Sequence, residues 1–381
     1  MYRELTPTGS AIDMGSTPDS AFLDAAGLDS DNDKDMPDAS APDMAPDPTP
    51  WWNDGYSHRA RITLGGNGRN ISDFRMRVVL TASSVHATFS RESVVFVSQD
   101  GNEYTHEYEL NGAGEAQTFW VRGDFELGTD FWMYWGGDSD RSSAGKTWED
   151  HVAVMHFASQ AVAIAAVGSS LPESVQCMNC TTAAGLAGDS ALVTSAGERA
   201  ELIPEPVTDI RVNPGKSLTV RCCIVVINRR TDRMTLVDAM SDCVGWRAFV
   251  ADQVVVEFGT RDNAGDCATI STRVATPYTP NEWHHLAFTI DRDTNTPSLM
   301  AWHDGVSIGS SAITSQAESN LSSKVVFGAN RTGVESFDGL LDELRIWRGV
   351  AAPDEVVLER DNTKGAVAVV NLATVQSRVS F

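Results

Sequence analysis

Between Ser336 and Val350 the chain reads SFDGLLDELRIWRGV. Two adjacent acids, Asp342 and Glu343, sit inside an apolar run that closes on Trp347. Paired carboxylates are the equipment of glycoside hydrolysis, which needs facing carboxyls about 5 Å apart for retention and a wider pair for inversion. Successive strand residues point to opposite faces, so the two carboxyls are expected to diverge and the pair to belong to a strand.

Upstream of this run the texture is the same. From Lys216 onward come SLTVRCCIVVI, MTLVDAM, GWRAFVAD, VVVEFGTRD, ATISTRVA, WHHLAFTID, SLMAWHDG and KVVFGAN. Such short, turn-punctuated runs predict a sandwich or jelly roll. APDEVVLER (Ala352 to Arg360) is the best helical turn, with Pro353 near its start.

A second group of short alternating runs opens at Trp51: RARITL, FRMRVVL, SVVFVS, QTFWVR and DFWMYW. They are rich in β-branched and aromatic residues and bounded by Gly, Asn or Asp, and no long stretch shows a helical period. The predicted fold class is therefore all-β, with two β-sandwich domains at 51–140 and 141–365 and a tail or last strand at 366–381. Residues 1–50 hold ten Asp, one Glu and seven of the fifteen prolines against Arg3 and Lys34. Few large apolar residues occur there, which predicts a disordered acidic tether. Its Asp29, Asp31 and Asp33 are spaced like the start of a calcium loop. Lys34 stands where that loop needs glycine and Ser40 where it needs the closing acid, so a solvated linker is the reading.

The net charge of −23 over 381 residues argues against nucleic acid or anionic membranes, which need clustered Lys and Arg. No apolar run is long enough to span a membrane. The first 30 residues lack the basic start and apolar core of a signal peptide, so a processed form or a missing upstream start is expected. Of six cysteines, Cys243 and Cys267 form the favoured disulfide, because a three-strand meander would place them at neighbouring strand ends. Cys177 and Cys180, the further disulfide candidates, form a CxxC unit with no second CxxC or CxxxH to complete a zinc set. A disulfide suits an oxidising, extracytoplasmic compartment.

The second β region resembles the laminin-G-like, concanavalin A-like jelly-roll superfamily through WHHLAFTID (Trp283 to Asp291), AWHDGVSIGSS (Ala301 to Ser311) and SFDGLLDELRIWRGVAAPDEV (Ser336 to Val356). The glycanases of that superfamily carry an E-x-D-x-(x)-E strand, and no such string occurs here. The first β region resembles a bacterial domain of unknown function, number 2341, often found ahead of laminin-G-like domains. WWNDGYSHRARITL, ISDFRMRVVL, SVVFVSQDGNEYTHEYE and FWMYWGG carry that likeness, and HVAVMHF is similar to the segment that opens the second unit in this pairing. The resemblance implies an extracellular or cell-surface module and a fold that does not itself assign an activity. The expected role is non-catalytic recognition of carbohydrate through loops at one edge of the jelly roll, with binding of an extracellular protein as the alternative.

Candidate site residues follow from chemistry. Flat rings stack on pyranose faces, which singles out Trp52 in the first unit and Trp246 and Trp302 near strand ends of the second, with Asp304 beside them. Loop carboxylates Asp242, Asp262 and Asp304 could hold calcium with backbone carbonyls. His284 and His285 are expected to be packed or surface histidines, one facing in and one out. No nucleophile-elbow, phosphate-loop or HExxH string appears, so no catalytic residue is assigned.

Overall fold

The computed structural model describes residues 50–377 apart from 65–69, 81–88, 90–92, 111–115, 138–140, 158–174, 179–180, 187–190, 195–197, 203–209, 229–231, 262–264, 274–277, 318–323 and 365–375. The acidic segment with its Asp29–Asp33 run, Cys180 with the CxxC expectation, and Asp262 lie outside the described residues.

The first unit contains β1 (His58–Thr63), β2 (Asn70–Val79), β3 (Val95–Ser98), β4 (Glu103–Leu110), β5 (Ala116–Glu126) and β6 (Asp130–Trp135). With the late strand β22 (Gln376–Ser377) they form one antiparallel path, β2-β5-β4-β3-β6-β1-β22. Strand β4 pairs with β3 at Tyr104 and with β5 from Thr105 onward. The sheet thereby folds over a core of Met76, Val78, Phe96, Phe119, Val121, Phe131 and Trp135. Period-2 alternation sends Trp132 and Tyr134 to the opposite face. There Tyr56 and the half-buried Trp51 and Trp52 cover them, and the Arg59 guanidinium lies 4.3 Å from the Trp132 ring centre. Part of the expected C-terminal tail is therefore a strand of this first unit, with Arg59 paired to Gln376.

A short helix, α1 (Ala144–Thr147), leads into the second unit. Its strands are β7 (His151–Met155), β8 (Val175–Met178), β9 (Thr181–Ala183), β10 (Ala191–Thr194), β11 (Arg199–Leu202), β12 (Ser217–Val226), β13 (Met234–Asp238), β14 (Gly245–Val250), β15 (Val254–Arg261), β16 (Cys267–Arg273), β17 (Trp283–Asp291), β18 (Ser298–His303), β19 (Val306–Ala312), β20 (Val325–Phe327) and β21 (Gly339–Trp347). One sheet runs β19-β18-β17-β12-β21-β10-β9, with β7 also on β21; the facing sheet runs β16-β15-β14-β13-β20-β11-β8. Leu218, Val220, Cys222, Ile224 and Val226 of β12 enter the core between them, against Trp246, Phe258, Phe288 and Ile346. Thr219, Arg221 and Cys223 point the other way and are buried too, because helix α2 (Pro353–Lys364) and the first unit cover that face. The near-continuous apolar text of β12 reflects this two-sided burial.

Pro353 is the first residue of α2, with Asp354 and Glu355 in its first turn and Lys364 in its last. Proline loses nothing at a position with no helical N–H bond to make, and both charges complement the helix dipole. Val356 packs against Ala287, Trp302 and Ala351. Asn362 accepts from the Arg77 N–H and donates to the Arg75 carbonyl, both at 2.8 Å, so the helix satisfies the open edge of β2. An otherwise unpaired edge invites association with other chains. Cys243, in the β13–β14 turn, is disulfide-bonded to Cys267 at the start of β16, with Cα atoms 5.8 Å apart. Gly259 of β15 passes beneath that turn, where a Cβ would sit 1.9 Å from the Cys243 carbonyl oxygen.

Candidate functional site

The acids Asp342 and Glu343 settle first. Leu341 and Leu344 both face the core, a spacing of three that a regular pleat forbids. The β12–β21 register shifts between Arg221 and Cys223, and Glu343 adopts φ 49°. This is a bulge, which puts two residues opposite one. The expected divergence of the two carboxyls is thus corrected: Asp342 stands opposite Cys223 and Glu343 joins Arg345, both on the outward side. They still serve different partners. Asp342 accepts from the N–H groups of Leu186 (2.7 Å) and Glu343 (2.8 Å). Glu343 accepts from Arg345 (2.6 Å) and meets His156 Nδ1 at 2.8 Å. Exposures of 0% and 3% seal both from solvent, so neither can meet a substrate.

Glu343 belongs to a polar cluster at the seam of the two units. From the first unit come Glu107, Glu109 and Trp120; from the second come Trp148, His156, Glu343 and Arg345. His156 Nδ1 lies 3.1 Å from Glu109, and its ring stacks on Trp120 at 5.9 Å. The Trp120 and Trp148 indoles donate to Glu109 and Glu107. Burial pushes the Glu109 carboxyl up to about 7 despite His156. Burial also acts against Glu343, but His156 and Arg345 outweigh it and hold that carboxyl at about 2. Burial lowers the His156 imidazole, and Glu343 and Glu109 more than reverse this. The cluster sets the His156 imidazole, held above its ordinary value by its acidic neighbours, between Glu343, which stays ionised, and Glu109, which burial pushes towards its neutral form.

Beside it the seam opens to solvent. A cleft of about 110 Å³ is lined by Asp73, Arg75, Asp150, Arg221, Glu355 and the half-buried Trp347, among others. Its carboxylates are clamped: Asp150 by Arg75, Glu355 by Arg221 at 2.7 Å, and Glu359 by Arg221 and Arg345. Burial raises the Asp150 carboxyl, but the His151 hydrogen bond and Arg75 outweigh this and leave it at about 2; burial lowers His151 to about 4. Neither changes protonation near neutral pH, whereas acid–base catalysis works best with a group that does.

A second concavity adjoins the first. The groove of about 560 Å³ on the first unit is lined by Ser98, Asp100, Asn102, Tyr104, Arg122 and Asp124, among others. Asp73 lines both. It sits at a bulge in β2 with φ 52°, and its carboxylate binds Arg122 at 2.5 Å and Arg75 at 3.6 Å. One left-handed residue thus fixes an arginine in each concavity.

Sequence-predicted site residues lie elsewhere, and several are corrected. Trp246 is 1% exposed, and its indole donates to the Ile210 carbonyl at 2.9 Å within the core. Trp302 is 3% exposed under α2. Neither offers a face to a sugar. Trp52 is half-buried, its indole donating to the Gly101 carbonyl at 2.9 Å. Asp242 stands in the exposed β13–β14 turn, 3.5 Å from Arg261. Asp304, in the β18–β19 turn of the other sheet, is engaged by His284, by the His285 N–H and by Lys364. The structure does not bring Asp242 and Asp304 into one cluster of converging donors among the described residues, so the described part of the expected calcium set is not assembled. His284 and His285 do point to opposite faces, but both are buried because α2 covers the outer one.

Residues 205–357 match the family model described as the concanavalin A-like lectin/glucanases superfamily. The protein is all-β with a concanavalin A-like jelly-roll domain. No curated protein sequence matches the chain. Among solved structures it is similar to the binding domain of Paraclostridial Mosquitocidal Protein 1, at 15% identity and TM-score 0.45, over 57% of this chain and 53% of that one. It is also similar to the receptor binding domain of botulinum neurotoxin C/D mosaic serotype, at 11% identity and TM-score 0.44, over 56% and 51%. The chain spans about half the length of those structures. Among the described residues no helix is long and apolar enough to cross a membrane.

Proposed function

We propose that the protein is a non-catalytic recognition module for carbohydrate or a glycoconjugate outside the cytoplasm, and that the ligand is read at the seam rather than by jelly-roll edge loops. The observation that carries this is the pair of adjoining concavities sharing Asp73. Between them they offer partly exposed Trp347 and Tyr104 and a set of prefixed carboxylates, amides and guanidiniums. That is the mixture sugar hydroxyls and ring faces require, since recognition sites combine apolar surface with a few placed polar groups. Arginine clamps hold carboxylates of the first cleft stationary, which suits hydrogen-bond acceptance. The Cys243–Cys267 disulfide supports an oxidising compartment. Large exposed apolar side chains among the described residues are Ile227, Val306, Val334 and Val350, on four separate segments, which gives an apolar protein-docking patch little support.

A glycan-array screen of the whole chain tests the reading. Saturable binding to one glycan class is expected, weakened by Trp347→Ala and Asp100→Ala and untouched by Trp246→Phe. Absence of binding, or release of reducing ends from the bound glycan, overturns it.

A further inference from the structure

His284, His303 and Asp304 come together where β17 and β18 end. Register pairing sets Leu286 opposite His303, so the two histidines lie on adjacent strands, and Asp304 opens the tight turn into β19. His284 Nδ1 is 2.7 Å from Asp304 Oδ2 and 3.0 Å from His303 Nε2; His303 Nε2 is 3.5 Å from Asp304 Oδ2. Three possible ligand atoms, one from each residue, thus lie within 4.8 Å of one another around one point. Tetrahedral zinc, with bonds of about 2.0–2.1 Å to nitrogen and oxygen, holds its donors about 3.3 Å apart, within the spread seen here.

The surroundings favour a metal over a simple hydrogen-bond knot. His284 Nε2 lies 2.9 Å from the Thr279 carbonyl and 3.1 Å from the Thr279 N–H; the tautomer that donates to the carbonyl leaves Nδ1 with the free lone pair and makes the orienting bond that ligating histidines usually make. Asp304 Oδ1 accepts from the His285 N–H at 2.9 Å and from Lys364 Nζ at 2.7 Å, so Oδ2 is the oxygen left to coordinate. Asp304 at φ 49° and Gly305 at φ 76° make a turn that holds the carboxylate over the strand ends. The Asp304 side chain is 31% exposed, which gives an ion access and leaves room for water as a fourth ligand. The other converging set, Glu109, His156 and Glu343, has no such opening: its exposures are 4%, 2% and 2%.

We propose that His284 Nδ1, His303 Nε2 and Asp304 Oδ2 form a binding site for Zn²⁺ or a similar divalent transition ion at the jelly-roll rim. Two imidazoles and one carboxylate suit zinc, whereas calcium takes six to eight oxygens. The ion would tie β17 to the β18–β19 turn and, through Asp304 and Lys364, to the end of α2.

The test is titration of the chelator-stripped whole chain with ZnCl₂, followed by calorimetry and by competition with a chromogenic chelator. One equivalent is expected to bind, CaCl₂ is expected not to compete, and Co²⁺ should give the visible spectrum of a four-coordinate nitrogen–oxygen site. His303→Ala, checked for folding by circular dichroism, should weaken binding by more than about tenfold, while Lys364→Ala should retain it. Should His303→Ala fail to fold, imidazole NMR of the intact chain answers the same question, because Zn²⁺ must shift His284 and His303 alone among the histidines. No stoichiometric binding, unchanged binding by folded His303→Ala, or shifts at other histidines overturns the proposal. Glycan recognition at the seam stands or falls separately.

Discussion

The Arg345 guanidinium lies 4.1 Å from the centre of the Trp120 ring, so a charge on β21 of the jelly roll rests on an aromatic face of β5. The same side chain donates to Glu343 at 2.6 Å and Glu359 at 2.8 Å. One residue thereby links the bulge, helix α2 and the first unit.

Removing one member of a buried ion network leaves the others uncompensated, at a cost of about 3–5 kcal/mol. Arg345→Ala and Glu343→Gln are expected to fall in that range by urea denaturation. Glu109→Gln should cost much less, because burial already favours its neutral form. Equal losses at Glu109 and Glu343 would refute the opposite shifts of the two carboxyls.

Acid should loosen the fold in a specific window. Glu343 and Asp150 both sit at about 2, below their ordinary 4.5 and 3.8. A depressed carboxyl contributes stability above its unfolded value and loses it as pH falls through its folded value. Glu109 is protonated in both states below about 4.5 and no longer opposes the trend. The melting temperature is therefore expected to drop between pH 4.5 and 2.5, less steeply in Glu343→Gln. A flat profile there would be inconsistent with the seam described.

The disulfide closes a loop with sequence separation 24, worth roughly 3 kcal/mol by restricting the unfolded chain. Cys243→Ser should lower stability by about that much. Cys222 and Cys223 are buried and unbonded, and burial pushes the Cys222 thiol up to about 12. Neither should react with a thiol reagent at neutral pH until denaturant is added.

The two core tryptophans should respond differently to phenylalanine. Trp246→Phe breaks a buried hydrogen bond and strands the Ile210 carbonyl, costing about 1–3 kcal/mol. Among the described residues the Trp302 indole nitrogen has no hydrogen-bond partner, so Trp302→Phe removes an unsatisfied donor and should cost less. Denaturation midpoints of the pair check the order.

Strand content and the jelly roll were legible because WHHLAFTID and the Ser336–Val356 run combine β-rich text with turn residues over short distances. The bulge at Glu343 was not, since one added residue in an apolar run leaves no local mark. Trp246 and Trp302 look like stacking platforms until distant segments, the facing sheet and α2, bury them. The seam was missed for the same reason: Glu107, Glu109 and Arg345 read as solvent-facing alternation until the other unit docks. One signal was available. Arg221 interrupts the otherwise apolar VRCCIVVI, and a charge in a strand covered on both sides needs a buried partner, here Glu355 and Glu359.

Strand β22 lends a further meaning to Arg59, whose side chain donates to Gln376 at 2.7 Å across 317 residues. During synthesis the first unit emerges long before the strand that completes its edge. Its β1 edge therefore stays open until the whole jelly roll has been made, and contacts of such separation form slowly. A chain cut short before Gln376 would carry the same seam with an unfinished border, the part of a sheet most prone to pair with a neighbour.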